Sequence, residues 1–313
     1  MAVQIAGSIN VDMIQSVTSL PGPGETVLAH KSVRLPGGKG ANQAVAAARI
    51  GAETNMIAAI GDDEGGRWMA EQLQSAGVGI DHVRTIPGLP TGTAYIAVDA
   101  QAENQIIVAS GANAALAPDH LPPLEGGPHV LVAQLEVPVE TIRAFFASAE
   151  TGGSLRILNA APAVPEAAAL FALTDILIVN QHELALYLGL PKAPATAEDA
   201  LVARGLISQP GQVIVVTLGA QGAIAVRAQD HFHVPGIPVT PLDSIGAGDC
   251  FVGALAAMLD ADPADRCPID QAISFANAAA ALCTQKNGAI PAMPTRAEVD
   301  AMIASTSKMR EPT

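Results

Sequence analysis

The feature that most restricts this chain is an alternation that runs almost end to end: short apolar runs rich in β-branched residues, each followed by an alanine-rich stretch with helical spacing. Val3–Ile9, Thr54–Ile60, His129–Gln134, Leu155–Asn159, Ile176–Asn180 and Val213–Thr217 read as short buried strands. Gly40–Ile50, Glu64–Ala76 (ended by Gly77), Val139–Ser148, Gln181–Leu188, Glu198–Ile207, Asp249–Leu259 and Asp270–Thr284 read as the helices between and after them. Strands and helices in strict alternation predict βαβ units around a mainly parallel sheet. No linker-like composition and no internal repeat divides the chain.

Two stretches break the alternation. Val11–Leu35 contains PGPGET and has no helical period, and Pro90–Ser110 reads as a hairpin around TGTAYIAVDAQAENQIIVAS. They are expected to form extra antiparallel strands outside the main sheet. Such strands often act as a lid over the carboxyl edge, where open α/β sheets bind their ligands.

Composition narrows the class of function. Of 313 residues half are apolar and 15% charged, enough to bury a large core. The 16 Lys plus Arg stand against 30 Asp plus Glu, a net charge of −14, so the clustered cations that a nucleic-acid backbone requires are missing. A small phosphate ligand remains compatible, because backbone N–H groups and a few local cations suffice to hold one. With 3% aromatic residues, stacking platforms for single strands or glycans are not expected. The N-terminus lacks a cationic segment followed by an apolar one, and no run of about 18 apolar residues occurs, so neither a secretory signal nor a membrane span is expected. Cys250, Cys267 and Cys283 are too few and too scattered for a disulfide framework or a zinc site. A cytoplasmic enzyme of small-molecule metabolism is the class that remains.

Three glycine-rich segments carry the chemistry. Pro36-Gly37-Gly38-Lys39-Gly40-Ala41-Asn42-Gln43 precedes a helix, but Val33 and Gly40 stand where a Walker A loop needs Gly and Ser or Thr. The dinucleotide fingerprint G-x-G-x-x-G is also missing from every strand-to-helix turn. What is left is a flexible backbone beside a helix start, with Lys39 and Asn42 as polar groups, suited to close approach of a polyol or to a plain tight turn. In Asp243-Ser244-Ile245-Gly246-Ala247-Gly248-Asp249-Cys250-Phe251, Gly246 and Gly248 let N–H groups converge at a helix start, an anion hole reinforced by the helix dipole. Such a hole suits the charge on a transferring phosphoryl group, and Asp249 at its mouth could take the proton of an attacking hydroxyl. The bland alternative for Asp249 is an ordinary N-cap Asp. Thr217-Leu218-Gly219-Ala220-Gln221-Gly222 follows a strand and suits a turn against a nucleotide, though many hairpins look the same.

Taken in order, GSINVD from Gly7, PGET, GGKGANQA, Asn180-Gln181-His182-Glu183, TLGAQG and DSIGAGDCF resemble the ribokinase family of sugar kinases over essentially the whole chain, Val3 to about Ile303. GGKGANQA with GAGD is specific for the superfamily; QLE at 134–136 and NAAPA at 159–163 point further into the family. The resemblance implies a Rossmann-like, three-layer α/β/α fold with a mainly parallel sheet. It puts the large domain at 1–10, 36–88 and 112–313 and a small antiparallel β lid at 11–35 and 89–111. It also implies ATP-dependent phosphorylation of the primary hydroxyl of D-ribose.

By the same resemblance Asn10, Asp12, Gly38, Lys39, Gly40, Ala41, Asn42 and Glu136 face the sugar, Asp249 is the base, and Gly246, Ala247 and Gly248 form the anion hole. Asn180 and Glu183 would organise Mg2+ and the triphosphate, mostly through water, which suits a cation that dehydrates reluctantly. Thr217, Leu218, Gly219, Ala220, Gln221, Gly222 and Gly248 would meet the nucleotide, with Asn277 beside the adenine. A potassium-like cation would be held, largely through carbonyls, at Asp243, Ile245, Cys283, Lys286, Gly288 and Ala292. Ala292 stands where the family often has a hydroxyl; NAAPA and NQHE replace the commoner NPAPA and NETE. A homodimer formed through the lid is also expected, because its edge strands would otherwise stay open. Other readings are a kinase for deoxyribose, fructose or a nucleoside, a non-catalytic sugar- or nucleotide-binding protein, and, less favoured, a nicotinamide-dependent dehydrogenase.

Overall fold

Short strands that are apolar at every position are stable only when covered on both faces, and the computed structural model shows that cover. It describes residues 2–101, 103–124, 129–148, 153–260 and 266–310. The strands are β1 (Val3–Ala6), β2 (Asn10–Ser16), β3 (Lys31–Gly37), β4 (Thr54–Gly61), β5 (Gly79–Ile86), β6 (Gly92–Val98), β7 (Asn104–Ala109), β8 (Val130–Gln134), β9 (Leu155–Asn159), β10 (Ile176–Asn180), β11 (Val213–Thr217), β12 (Ala223–Val226) and β13 (His231–Val234). The α-helices are α1 (Lys39–Ile50), α2 (Glu64–Ser75), α3 (Val139–Ala147), α4 (Gln181–Leu188), α5 (Ala247–Leu259), α6 (Ile269–Cys283) and α7 (Arg296–Arg310).

The large sheet runs β13-β12-β11-β10-β9-β8-β1-β4-β5. It is parallel from β5 to β11, and β12 and β13 close one edge as an antiparallel pair. Alternate residues of one strand enter two separate cores. Val130 and Val132 of β8 pack with residues of α1, α5 and α6, whereas Leu131 and Ala133 pack with residues of α3 and α4. This is the three-layer α/β/α arrangement.

A second sheet, ordered β3-β2-β6-β7, stands apart from the first. Its outer pairs are antiparallel, as expected of a hairpin, but the central pair β2–β6 is parallel. Those two strands are not hairpin neighbours; each leaves the large domain separately and enters the sheet in the same direction.

Several boundaries move for identifiable reasons. The predicted strand Val3–Ile9 stops at Ala6, because Ser8 turns its carbonyl to the Ala41 N–H (2.9 Å) at the start of α1 and the chain crosses into the second sheet at Asn10. The predicted helix Glu198–Ile207 winds as 3-10 turns over Asp199–Leu206. Its buried residues Ala200, Ala203 and Leu206 repeat every third position, which is the 3-10 period. β5 was not legible: it is a mostly half-exposed edge strand carrying Asp81, His82 and Arg84.

In the sheet order, connections from β1 run towards β4 and β5, while β8 to β11 extend the other way. The order therefore reverses between β1 and β8, and a crevice opens there at the carboxyl ends of the strands. Ser8 and Asn10 follow β1 and Glu136 follows β8, so both rims of that crevice carry predicted site residues.

Candidate active site

The first turns of α1 and α5 meet over this crevice. Gly246 precedes α5 with φ 77°, and a Cβ there would lie 2.6 Å from the Ala289 Cβ, so the position requires glycine on two counts. The helix ladder starts with the Cys250 N–H on the Gly246 carbonyl (2.8 Å). Of the three expected anion-hole amides, that of Ala247 already donates to the Ser244 carbonyl at 3.2 Å. The first-turn N–H groups of Gly248 and Asp249 have no partner within the helix and lie at its positive end.

Asp249 is buried, and side chains of α1 grip both of its carboxylate oxygens. Asn42 Nδ2 donates to Oδ2 (2.8 Å) and Gln43 Nε2 to Oδ1 (2.9 Å). Gln43 is itself fixed: its Nε2 also reaches Asn159 Oδ1 (3.1 Å), and its Oε1 accepts from Gln134 Nε2 (2.6 Å). Gln43, Gln134 and Asn159 were quoted in family motifs but assigned no role; a run of amides at strand ends gives no sign that they converge on one carboxylate.

The residues expected to face the sugar gather beside this pair. Gly38 has φ 90°, and a Cβ on it would stand 2.6 Å from the Asn10 nitrogen, so only glycine lets the loop pass under β2. Glu136 Oε2 accepts from Ser8 Oγ and from the Lys39 N–H (3.1 Å), binding the end of β8 to the start of α1. Gly40 and Ala41 are buried and form the tight start of that helix. Asn113, in a 3-10 turn after β7, was not anticipated. It is buried, clamps the Ile9 backbone through both N–H and carbonyl, and donates from Nδ2 to Asn10 Oδ1 (2.8 Å). Asn10 Oδ1 is thereby engaged, and its Nδ2 is the atom left to donate to a ligand. A cavity of about 360 Å³ is lined by Asn10, Asn113 and Glu136 on its polar side and by Val108, Leu135 and Pro162 among its apolar residues.

Charge is concentrated here. The Asp12 carboxyl is pushed up to about 7, first by burial and then by the charges of Glu136 and Asp249. Lys39 is held above its ordinary range, first by Asp249 and then by Glu136 and Glu183, against the opposing effect of burial. Burial raises Glu183, although its bond to Asn180 and the Lys39 charge pull the other way. Asp12, Lys39, Glu136, Glu183 and Asp249 thus share one electrostatic environment.

Asn180 and Glu183 are engaged with each other. Asn180 Oδ1 accepts the Glu183 N–H and Glu183 Oε2 accepts the Asn180 N–H, both at 2.8 Å, a reciprocal capping box at the start of α4. Asn180 is in register with Thr217 on the neighbouring strand. From Thr217 the chain turns through Leu218, whose N–H donates to the Gly222 carbonyl (2.8 Å). Gly222 has φ 91° and lies so close to Val234 O that a side chain there would clash. Leu218 is core; Gly219, Ala220 and Gln221 are exposed at the sheet's edge. Asn277 on α6 donates from Nδ2 to Val234 O (3.1 Å), so it anchors the segment beside that turn.

The predicted cation-binding segments also meet. Asp243 Oδ1 accepts from Ile245 N (2.9 Å) and Oδ2 from Gly288 N (2.8 Å), which staples the loop before α5 to the loop after α6. Arg49 Nη1 braces the second loop through the carbonyls of Ile290 (3.0 Å) and Met293 (2.7 Å), and Ala292 is buried there. The Lys286 ammonium turns away to Glu298 (2.9 Å), leaving its carbonyl as the group to consider. The Cys250 and Cys283 thiols hydrogen-bond to each other, and that bond first and burial second push the Cys250 thiol well above its ordinary range. Among the described residues no group of three or more His, Cys, Asp or Glu side chains could hold a metal, and no helix is long and apolar enough to cross a membrane.

Comparison with known proteins agrees with this fold. Residues 2–296 match the family model described as pfkB family carbohydrate kinase. The chain is 35% identical to a ribokinase from Haemophilus influenzae over 298 residues, covering 94% of this chain and 95% of that one. It is 36% identical over 297 residues to a bifunctional ribokinase/ribose-5-phosphate isomerase A from Fructilactobacillus sanfranciscensis, covering 93% of this chain but 54% of that longer protein. Among solved structures, Thermotoga maritima ribokinase superposes with a TM-score of 0.83 at 31% identity, over 97% of this chain and 99% of that one. Arabidopsis thaliana ribokinase, complexed with ribose and ATP, gives 0.82 at 28% identity, over 97% and 99%.

Proposed function

The chain belongs to the pfkB family of carbohydrate kinases, and from that premise we propose that it transfers the γ-phosphoryl group of ATP to the primary hydroxyl of D-ribose, giving D-ribose 5-phosphate. The observation that carries the reading is the gripped carboxylate: Asp249 stands at the start of α5, held on both oxygens, and its charge acts on Asp12 and Lys39, two of the residues expected to face the sugar. A fixed carboxylate can take the hydroxyl proton as the oxygen attacks phosphorus, and a positioned base contributes about 10²–10⁴-fold. The Gly248 and Asp249 amides, at the positive end of α5, would stabilise the charge that spreads over the phosphoryl oxygens.

The sugar would be read by both kinds of partner. Asp12 and the second oxygen of Glu136 accept from hydroxyls, Asn10 Nδ2 donates, and Lys39 balances the negative field. Asn42 Oδ1 is buried with no protein partner, an acceptor whose cost a bound hydroxyl would remove. The residues at 217–222 would border the nucleotide, with Asn277 holding the adenine-side segment in place.

Mg2+ fits the residues present only as a largely hydrated ion: one oxygen of Glu183 is committed to the cap, leaving the other to face its water shell. When bound, it would neutralise phosphate charge. A potassium-like cation would be held by carbonyls of the stapled loops at 243–245 and 283–292, with Asp243 as the anionic group, and would add positive field behind the anion hole. We further propose that 11–35 and 89–111 form a lid that excludes water, set on a large domain of 1–10, 36–88 and 112–313. Two lids would clasp in a homodimer, since Tyr95, Ile106, Ile107 and Val108 are exposed. We also propose a cytoplasmic location, a reading that the free thiols of Cys250, Cys267 and Cys283 support.

A panel of pentoses, hexoses and nucleosides assayed for ATP-dependent phosphorylation, with and without K+, tests the reading. Ribose is expected to give the highest kcat/KM; equal or better turnover of a nucleoside or hexose would overturn it.

A further inference from the structure

Gln43 is not among the residues expected to face the sugar, yet it is wholly buried near the start of α1 and every polar atom of its side chain is committed. Its two acceptors, the Asp249 carboxylate and Asn159 Oδ1, have no hydrogen to offer it, so the NH2 end must face them. Gln134 donates to the opposite end and fixes that orientation. Gln134 closes β8 and Asn159 closes β9, so the tether runs from two rigid central strands, through an α1 side chain, to one oxygen of the carboxylate.

We propose that Gln43 is a positioning residue for the phosphoryl-transfer step: with Gln134 it fixes the rotation of the Asp249 carboxylate so that one lone pair faces the attacking hydroxyl. Asn42 is the partner on the other oxygen, and the two consecutive side chains hold the carboxylate from both sides.

The inference rests on Asp249 being the base, and the experiment separates the two. Gln43→Met keeps length and volume but removes donor and acceptor. Its kcat is expected to fall ~10- to 100-fold, the factor that loss of one charge-assisted hydrogen bond corresponds to. KM for ribose and for ATP should stay within about threefold, because a group that acts only on the reacting step leaves ground-state binding intact. The solvent isotope effect on kcat should rise as proton removal becomes limiting, which a loss of folded fraction alone would not produce. Gln134→Met, which frees the far end of the Gln43 amide, should move the same readouts in the same direction by less.

A folded Gln43→Met enzyme with wild-type kcat, or one whose loss appears in KM with no change in isotope effect, overturns the proposal. If Gln43→Met does not fold, a wild-type kcat and isotope effect in Gln134→Met overturns it. Asp249→Asn is the companion: near-normal turnover there removes the base reading itself, whereas an inactive Asp249→Asn beside a normal Gln43→Met removes only the role of Gln43.

Discussion

Asn42, in the first turn of α1, and Asp249, in the first turn of α5, are joined by a 2.8 Å hydrogen bond from Nδ2 to Oδ2. Two helix starts far apart in sequence therefore act as one unit, and Asn42 has a double role that Gln43 lacks. Its amide nitrogen holds Asp249, and on the proposed reading its buried, unpartnered carbonyl oxygen would accept from the sugar. Asn42→Ala is expected to lower kcat and raise KM for the sugar together, each by about tenfold, the scale of a buried polar contact. Steady-state kinetics on the best sugar checks this; a change confined to ATP KM would contradict the assignment.

The raised Asp12 carboxyl sets a pH dependence whose sign can be worked out. In the fold, burial and then the charges of Glu136 and Asp249 push the Asp12 carboxyl up to about 7, whereas in the unfolded chain an aspartate releases its proton near 3.8. Between those values the native state binds more protons, so this group lowers stability as pH rises, and the cost is complete above about 7. Asp12→Asn should therefore raise the melting temperature at pH 8 and have little effect near pH 4. Function runs the other way, because the ionised carboxylate accepts hydroxyl hydrogens on both oxygens, whereas protonation turns one oxygen into a donor and removes the negative charge. Sugar KM should fall as pH rises from 6 to 8 in the wild type and lose that dependence in Asp12→Asn. A flat wild-type KM, or a variant less stable at pH 8, would sink the argument.

How much of this was readable beforehand follows from what each feature depends on. Strands β8 to β11 and helices α1, α5 and α6 announce themselves because their apolar runs are local and continuous. Asp249 and its glycines are likewise contiguous, so an anion hole with a carboxylate at its mouth can be read from spacing, while the same spacing also fits a helix cap until the family motifs are added. The amide chain Gln134–Gln43–Asp249 cannot be, since it joins one side chain each from β8, α1 and α5 through contacts that only the packed sheet creates. Asn113 was hidden for the same reason: a lone Asn after a hairpin looks like turn chemistry until its amide is seen clamping Ile9 and Asn10. The parallel β2–β6 pair was missed because a hairpin pattern specifies only its own turn, not how two separate excursions pair.

The reciprocal bonds between Asn180 and Glu183 make two roles separable. An N-cap asparagine is worth about 0.5–2 kcal/mol, so Asn180→Ala should lower the melting temperature through α4 alone. Asn180→Ser restores a capping oxygen and should recover most of that loss. If the pair also organises the nucleotide, ATP KM will stay raised in Asn180→Ser although stability has returned. Recovery of both together would reduce the pair to a cap.

The second sheet leaves β7 as an edge strand with every residue exposed, Ile107 to 70%. An apolar edge of that kind is a site for pairing with another chain. In the register Ile107 faces the same way as the exposed Tyr95, while Ile106 and Val108 lie on the face that carries Asp12 and the cavity wall. Clasped lids would cover both. Replacing Ile106 and Ile107 with Glu puts charge on each face, and should turn a dimer into a monomer by light scattering. Turnover should fall with it, because Val108 would lose the neighbour that holds its strand over the sugar. A wild-type chain that is monomeric at assay concentrations, or a double variant that stays dimeric, would rule out the lid as the interface.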